Sequence, residues 1–289
     1  MTFDLLTGLL DTQALRLAPP GEVFWYTSGT VGPYYINTEY LYGGPEQAQQ
    51  LLAFIDERKE DADFPQRLQE CVEKQYAEDA VYRQVVDGLV ALARESGAHF
   101  NSVSGGERRD WFFSLSVAER LGKPSLLIYK DGRTVVLDGQ KLRPVRANDM
   151  DVLHVADLVT EASSYVRDWI PAVAASGGRI AYAANVIDRG QGGLETLAKQ
   201  GVAAGALMRI DDALFDRLRA MGRIDATRHA LLTRYHRDPH AAMRAFLQKH
   251  PQIVRVALNG DDARAAERAR LLVTENPYAF DKSALAELI

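Results

Sequence analysis

The chain has 289 residues, of which 47% are hydrophobic and 25% charged, a composition typical of a globular protein. Its formal net charge of −5 excludes the strongly basic surface that sequence-independent nucleic-acid binding requires. The single cysteine, Cys71, excludes an intrachain disulfide. The N-terminal residues are acidic, and no apolar run reaches membrane-spanning length. Together these features predict a cytoplasmic protein without a membrane anchor.

The first third of the chain changes its hydrophobic period twice. Residues 2–17 have apolar side chains at helical spacing, and a Pro-Pro-Gly sequence ends that predicted helix. The aromatic and β-branched stretch 22–42 predicts a β-hairpin or a pair of short strands. Residues 45–96 have a helical pattern in two or three pieces, and we expect the break at 61–65.

From residue 97 onward, strand patterns alternate with helix patterns. The predicted strands cover residues 99–105, 125–130, 151–157, 179–188 and 202–208, and the predicted helices cover 111–122, 164–177 and 193–201. Residues 131–149 are interpreted as a polar loop, in which 134–139 has the character of a hairpin strand. The alternation predicts an α/β fold with a doubly wound parallel sheet, whose ligands bind at the C-terminal ends of the strands.

The pattern divides the chain near residue 210. Residues 1–210 are interpreted as the α/β domain, with 1–45 as an N-terminal hood and 45–97 as a helical segment. Residues 211–289 are interpreted as a mostly helical C-terminal appendage, in which only 253–258 resembles a strand. Asp238 followed by Pro239, and the acidic pair at 261–262, predict helix starts.

Residues 151–164 are the most informative stretch. An apolar run is expected to end at Asp157, and a turn containing Thr160, Ser163 and Ser164 precedes a predicted helix. Backbone N–H groups of such a turn attract a phosphate, and the carboxylate at the strand end can hold sugar hydroxyls or a metal. His154, inside the strand, is interpreted as a core histidine.

The segment 102–113 adds a second anion-binding candidate. Gly105 and Gly106 follow a predicted strand and permit close approach of the backbone to a ligand. Arg108 and Arg109 can neutralise a diphosphate at this position. Glu107 and Asp110 are expected to pair with the neighbouring arginines. A charged helix cap without a ligand is the alternative interpretation of this segment.

Aromatic and basic residues supply candidates for binding a flat organic ring. Tyr34 and Tyr35 follow a proline turn and offer a face for stacking, although they can equally be core residues of a hairpin. Arg189 is expected at the end of a strand, where its guanidinium suits a planar carboxylate.

In their order and spacing, these segments resemble those of the orotate phosphoribosyltransferases, members of the type I phosphoribosyltransferase family, over residues 21–205. The resemblance implies a doubly wound parallel sheet with an N-terminal hood. It implies transfer of a phosphoribosyl group from phosphoribosyl pyrophosphate (PRPP) to orotate or a related pyrimidine, releasing pyrophosphate. It also implies Mg²⁺ carried by PRPP, no resident protein metal site, and a homodimer that binds neither nucleic acid nor membrane.

The resemblance also assigns roles to individual residues. The expected catalytic residues are Asp157 and Lys130. The expected PRPP and phosphate contacts are Thr160, Ser163, Ser164, Gly105, Gly106 and Arg108, and the expected base contacts are Ser28, Tyr34, Tyr35 and Arg189.

The chain departs from the family pattern at several positions. Ala156 stands where the family has a second acid, Glu161 adds a negative charge to the phosphate turn, and Ala162 replaces a glycine. Thr27 stands where a lysine is expected, and no histidine follows Lys130 in the next loop. Two functions therefore stay open: a transferase, or a catalytically weakened or inactive relative that binds a nucleotide or PRPP as a sensor or regulator.

Overall fold

The structure, a computed structural model, describes residues 4–143 and 150–289. These residues form two compact units. The first comprises the described residues up to Ala14 together with Asn37–Arg209, and the second comprises Leu15–Ile36 and Ile210–Ile289. The second unit therefore combines part of the expected hood with the expected C-terminal appendage, whereas the sequence pattern assigned all of 1–45 to the α/β domain.

The elements are numbered in chain order. The strands are β1 (Leu15–Leu17), β2 (Phe24–Trp25), β3 (Val31–Gly32), β4 (Tyr34–Ile36), β5 (Ser102–Gly106), β6 (Ser125–Ile128), β7 (Thr134–Asp138), β8 (Lys141–Arg143), β9 (Met150–Val159), β10 (Gly178–Asp188) and β11 (Ala203–Arg209). The α-helices are α1 (Leu5–Asp11), α2 (Pro45–Arg58), α3 (Phe64–Glu78), α4 (Ala80–Glu95), α5 (Trp111–Leu121), α6 (Ile170–Ala175), α7 (Gly193–Lys199), α8 (Asp212–Ala220), α9 (Ala226–Arg237), α10 (Pro239–Lys249), α11 (Gln252–Asn259), α12 (Ala263–Glu275) and α13 (Lys282–Leu288). A 3₁₀ helix covers Thr38–Tyr42, and a π-helical turn covers Tyr165–Trp169.

The first unit is built on a seven-stranded sheet in the order β11-β10-β9-β5-β6-β7-β8. The five strands from β11 to β6 are parallel, and β7 and β8 continue the sheet as an antiparallel hairpin. Helices α4 to α7 pack against these strands. Strands β6, β9 and β10 contain buried apolar runs, as expected for a parallel sheet covered by helices, whereas β5 is buried but consists of serines, glycines and one valine. The predicted doubly wound α/β fold is confirmed.

Helix breaks in the first unit follow local chemistry. The helical pattern of 45–96 is interrupted between Arg58 and Phe64, close to the predicted break, and Pro65 lies in the first turn of α3. Asp79 separates α3 from α4, and its carboxylate accepts a hydrogen bond from the Tyr82 N–H at 2.7 Å. Such a side-chain cap satisfies one of the unpaired amides at a helix start.

Three sequence predictions about element boundaries are wrong. The first helix ends at Asp11 rather than near Leu17, because Gln13 adopts φ 59° and the chain turns into β1. The predicted polar loop after residue 130 also contains β8, which was not expected and pairs antiparallel with β7. The hairpin-strand interpretation of 134–139 is confirmed by β7, and residues 144–149 lie outside the described part. Residues 253–258, the possible strand, belong to helix α11.

Strand β9 extends two residues further at its C-terminal end than predicted. Leu158 pairs with Ile187 and Val159 pairs with Asp188 of β10, so the strand continues past Asp157. The hydroxyl-rich turn consequently begins at Thr160, at the C-terminal edge of the sheet.

The second unit contains two short antiparallel pairs, β1 with β4 and β2 with β3, together with α8 to α13. The Tyr278 hydroxyl accepts a hydrogen bond from the Val31 N–H at 2.8 Å and so links the strand segment to the C-terminal helices. The predicted start of α10 is confirmed, because the Asp238 side chain caps it and Pro239 is its first residue. Among the described helices, none is both long enough and apolar enough to cross a bilayer.

Candidate active site

A cleft of about 450 Å³ lies beside the C-terminal ends of β5, β6 and β9. Parallel strands place their carboxyl ends at one edge of the sheet, so three separate loops meet there. The lining residues are 107–110, 130, 156–165 and 169. Six sequence candidates are among them: Arg108, Lys130, Asp157, Thr160, Ser163 and Ser164.

The turn after β9 keeps the backbone bend that a glycine normally provides. Ala162 has φ 62°, which lies in the left-handed region, and its side chain is buried. A residue with a Cβ pays about 1–2 kcal/mol for this conformation. Ser163 and Ser164 follow it as exposed residues at the start of the helix, and Glu161 is also exposed. The hydroxyl groups therefore face the cleft without the glycine that the family pattern has.

A π-helical turn positions Trp169 against β5. The Tyr165 hydroxyl donates a hydrogen bond to Oδ1 of Asn185 at 2.8 Å, which anchors the turn on β10. A Cβ at Gly106 would lie 2.2 Å from Cζ2 of Trp169, so only glycine fits beneath the indole. Gly106 was expected to let a ligand approach the backbone closely, but the side chain of Trp169 occupies that position. Gly105 and Gly106 are buried strand residues and do not line the described cleft.

The side chain of Asp110 joins the C-terminal ends of β5 and β9. Its carboxylate accepts the N–H of Gly106 and the N–H of Asp157, each at 3.0 Å. Nε2 of the buried His154 lies 3.7 Å from the same carboxylate, and Nδ1 of His154 is 2.8 Å from Oγ of Ser104. The prediction that Asp110 pairs with an arginine is wrong, because backbone amides satisfy both of its oxygens. The interpretation of His154 as a core histidine is confirmed.

The environment of Asp157 disfavours its charged form. Burial raises the pKa of Asp157 well above the usual range, and the nearby negative charge of Asp110 raises it further. The guanidinium of Arg109 acts in the opposite direction but does not cancel these effects. A carboxyl group with this balance is suited to donating a hydrogen bond or accepting a proton.

Glu107 is held by lysines rather than by arginines, contrary to the prediction. Its carboxylate lies 2.6 Å from Nζ of Lys59 and accepts the backbone N–H of Lys130 at 3.0 Å. Burial alone would raise the pKa of Glu107, but these hydrogen bonds and the lysine charges outweigh it and hold the pKa below its usual range.

The arginines of the loop after β5 are paired with acids from the N-terminal half of the first unit. Arg108 forms an ion pair with Asp56, and Nη2 of Arg109 lies 3.3 Å from the buried Glu39. The cleft walls therefore carry more carboxylates than cations. The carboxylates are Glu107, Asp110, Asp157 and Glu161, and the cations are Arg108, Arg109 and Lys130.

The base-side candidate Arg189 belongs to the first unit but does not line the described cleft. Its N–H donates to the Val159 carbonyl at 2.9 Å, which joins the end of β10 to the end of β9. The preceding residue, Asp188, is buried, accepts the Gly190 N–H at 2.8 Å and pairs with Arg209 at 3.4 Å. This stretch forms a structured strand end next to the phosphate turn.

The other base-side candidates lie in the second unit. Tyr34 is buried, with its ring edge against Tyr235 at 5.5 Å between centroids. Tyr35 is half-buried, and its ring contacts that of Phe24. Ser28 is exposed and shares a hydrogen bond with the Thr30 hydroxyl at 2.8 Å. Tyr34 is thus a core residue, the alternative that the hairpin pattern had left open.

The second unit has a separate groove of about 670 Å³, formed by α9, α10 and the segment before β2. Leu231, Ala242 and Phe246 are among its apolar lining residues, and Arg234 and Lys249 also line it. No motif in the sequence had pointed to this groove.

From the sequence, Asp110 was named but the wrong partners were predicted for it, and Trp169 was not identified. Asp110 follows Gly106 by four residues, a spacing that allows a side chain to cap a turn, but nothing in the sequence linked it to Asp157. Trp169 gave no signal, because its contact with Gly106 joins positions far apart in the chain. Within residues 4–143 and 150–289, no cluster of three or more His, Cys, Asp or Glu side chains is arranged to hold a metal ion.

Comparison with known proteins gives a structural relationship only. No protein-family model matches the chain, and no curated protein matches it by sequence. Among solved structures, the chain is similar to orotate phosphoribosyltransferase from Francisella tularensis, with a TM-score of 0.54 and 14% identity over 80% of this chain and 96% of that one.

A second similar structure is the UMP synthase of Leishmania donovani, with a TM-score of 0.53 and 16% identity. The match covers 85% of this chain but 42% of that longer protein. The chain therefore has the fold of the orotate phosphoribosyltransferases, within the type I phosphoribosyltransferase architecture. This agrees with the fold implied by the motif resemblance.

Proposed function

We propose that the chain binds PRPP in the cleft and transfers its phosphoribosyl group to a pyrimidine base, orotate or a related compound. The observation that carries the proposal is the arrangement of Asp157, the Thr160–Ser164 turn and Lys130 around one cleft at the carboxyl edge of a phosphoribosyltransferase-like sheet. Ligands of such sheets bind at this edge.

The 5′-phosphate would be held by the turn after β9. Ser163 and Ser164 are exposed there, and the side chain of Thr160 lines the same wall. Hydroxyl groups and turn amides are suitable donors for phosphate oxygens. Glu161 lies in this turn as an exposed residue, so its charge is screened by solvent rather than enclosed with the ligand.

Asp157 would hold the ribose hydroxyls and Lys130 would act on the leaving group. In the transfer, a base nitrogen forms a bond to C1 of the ribose while the bond from C1 to the diphosphate oxygen breaks. The oxygen keeps the electron pair and pyrophosphate departs. A cation near that oxygen stabilises the developing charge. The protein otherwise contributes orientation of the two reactants.

Mg²⁺ is proposed to arrive with the substrate, bound mainly by the diphosphate oxygens, as is usual for this ion at phosphate-binding sites. The carboxylate of Glu107 already interacts with lysine groups. Bound Mg²⁺ would offset part of the diphosphate charge. Arg189, in the first unit, remains the proposed base contact, and a cytoplasmic homodimer remains the proposed state. Ser28, Tyr34 and Tyr35 belong to the second unit, where Tyr34 is a buried core residue, so they are not assigned to the cleft.

A second candidate function is supported by a specific observation. Three features would slow transfer: the raised pKa of Asp157, the lack of an acid at Ala156, and the hydrogen bonds of Asp110 to the amides of Gly106 and Asp157. Under this alternative the chain binds PRPP or a nucleotide as a sensor without turning it over.

The test is a pyrophosphate-release assay with PRPP, Mg²⁺ and a panel of pyrimidine and purine bases. Release that requires a pyrimidine, and that falls by about 100-fold or more in Asp157→Ala, would support the transferase. PRPP binding measured by isothermal titration, without release for any base, would support the sensor. Absence of both binding and release would contradict both candidates.

A further inference from the structure

The loop that follows β5 already contains a bound anion, the carboxylate of Asp110. Its two oxygens accept the Gly106 N–H and the Asp157 N–H, each at 3.0 Å. Asp110 is buried, so these are hydrogen bonds shielded from solvent. Convergent backbone amides of this type are the groups that bind phosphate oxygens in other proteins. Here a side chain of the same loop occupies them.

The side chain of Trp169 covers the same backbone position. The indole of Trp169 packs on Gly106 so closely that a Cβ there would lie 2.2 Å from Cζ2. The two donors and the glycine surface that could receive a phosphate group are therefore covered by Asp110 on one side and Trp169 on the other.

The basic side chains of this loop do not restore a positive site. Arg108 pairs with Asp56, and Arg109 pairs with Glu39 at 3.3 Å. An incoming diphosphate must compete with these carboxylates and with Asp110, because like charges at short range in a poorly solvated site repel strongly. The other end of the cleft differs, since Ser163 and Ser164 are exposed hydroxyl residues.

We propose that Asp110 is a specificity-determining residue that makes the cleft bind a singly phosphorylated ribose in preference to a diphosphate. The inference rests on the proposed binding of a phosphorylated ribose in the cleft, and it agrees with the alternative in which transfer is slow or absent. Asp110 acts as an internal competitor for the diphosphate of PRPP and for released pyrophosphate. A diphosphate binds fully only when the Asp110 carboxylate leaves the Gly106 and Asp157 amides, whereas ribose 5-phosphate needs no such displacement.

The test is isothermal titration with three probes: ribose 5-phosphate, pyrophosphate with Mg²⁺, and PRPP with Mg²⁺. The variants are Asp110→Asn, which removes the charge and keeps the size, and Asp110→Ala, which leaves both amides open. Asp151→Asn is the matched control, because it makes the same charge change at the opposite end of β9, where Asp151 pairs with Arg179 at 2.7 Å. Circular dichroism confirms that each variant is folded.

In the wild type, ribose 5-phosphate is expected to bind at least as tightly as PRPP, although PRPP has more groups to bind. Asp110→Asn and Asp110→Ala are expected to tighten PRPP and pyrophosphate binding by about tenfold, with ribose 5-phosphate changed less than about twofold. Asp151→Asn should leave all three affinities unchanged.

Two results would overturn the inference alone. One is tighter wild-type binding of PRPP than of ribose 5-phosphate, which can be measured even if no Asp110 variant folds. The other is an unchanged preference in the folded Asp110 variants while ribose 5-phosphate binds normally. Failure of all three probes to bind any of the proteins would overturn the proposed function together with this inference.

Discussion

At the scale of single residues, the backbone strain at Ala162 can be tested by substitution. Its φ of 62° places an alanine where glycine is favoured. Glycine relieves the left-handed strain in the folded state, but it also gives the unfolded chain more conformational freedom. Because the first effect is expected to equal or exceed the second, Ala162→Gly should leave the free energy of unfolding unchanged or raise it by up to about 1 kcal/mol.

Denaturant titration measures this difference, and Ala174→Gly is the matched control. Ala174 is exposed in α6, so the same substitution there should lower the free energy of unfolding by about 1 kcal/mol. Equal losses at both positions would show that Ala162 does not gain from glycine.

Asp157 predicts a dependence of stability on pH. Its folded-state pKa is raised by burial and by Asp110, so the folded state binds a proton more tightly than the unfolded state. The ionised group therefore destabilises the fold at pH values above the raised pKa, and this cost disappears below the ordinary value of about 3.9. Asp157→Asn should be more stable than the wild type at neutral pH.

The measurement is the free energy of unfolding of both proteins from about pH 4 to about pH 8. The advantage of Asp157→Asn should shrink as the pH falls through the raised pKa. An advantage that is constant or grows toward acid pH would contradict the account, because it would mean that the folded state stabilises the carboxylate.

The candidate site was predictable from sequence where its residues follow a strand directly. Asp157, Thr160 and Ser163 could be located because they lie at or just after the end of an apolar run. Asp110 and Trp169 could not, because their roles depend on contacts with residues distant in sequence, and no local pattern records which amides or which glycine they meet.

At the scale of elements, the alternation of strands and helices predicted the sheet, and the boundaries were predicted less well. Strand β9 extends beyond Asp157 because β10 offers it pairing partners, and β7 and β8 form because they pair with each other and with β6. These additional strand residues are stabilised by pairing with neighbouring strands rather than by local residue preference. Helix starts marked by an acidic cap were predicted correctly.

One of these caps gives a prediction for α12. The Asp262 carboxylate accepts the N–H groups of Arg264 and Ala265 at 2.9 and 3.2 Å. Asp262→Ala should lower the free energy of unfolding by about 1 kcal/mol, because these amides lose their acceptor. Asp261→Ala, one residue earlier, is the control and should change it by less than about 0.5 kcal/mol. Thermal unfolding compares the two, and equal destabilisation would contradict the cap.

At the scale of the whole molecule, the chain forms two units whose segments are interleaved. Residues Leu15–Ile36 lie between two segments of the first unit in the sequence, but they belong to the second unit together with the C-terminal helices. Sequence patterns could not predict this, because hydrophobic periodicity identifies an element without identifying its partner. Hydrogen bonds described between the strand segment and the C-terminal part of the chain join Val31 with Tyr278, Trp25 with Arg268, and Ala18 with Arg228.

Tyr278→Phe tests that connection within the second unit. It removes the acceptor of the buried Val31 N–H and should cost about 1–3 kcal/mol of unfolding free energy. Tyr76→Phe is the matched control, since its hydroxyl bonds to Asp87 in exposed surroundings and should contribute less than about 0.5 kcal/mol. Indistinguishable denaturant midpoints for the two variants would contradict the proposed link.

The most direct test of the central claim, that a phosphorylated ribose binds in the cleft after β9, is isothermal titration with ribose 5-phosphate. The wild type should bind one molecule per chain. The double variant Ser163→Ala, Ser164→Ala should bind at least about tenfold more weakly, and Ser283→Ala, at an exposed position in α13, should bind as the wild type does. No binding at about millimolar ligand, or equal affinity in the double variant, would contradict the claim.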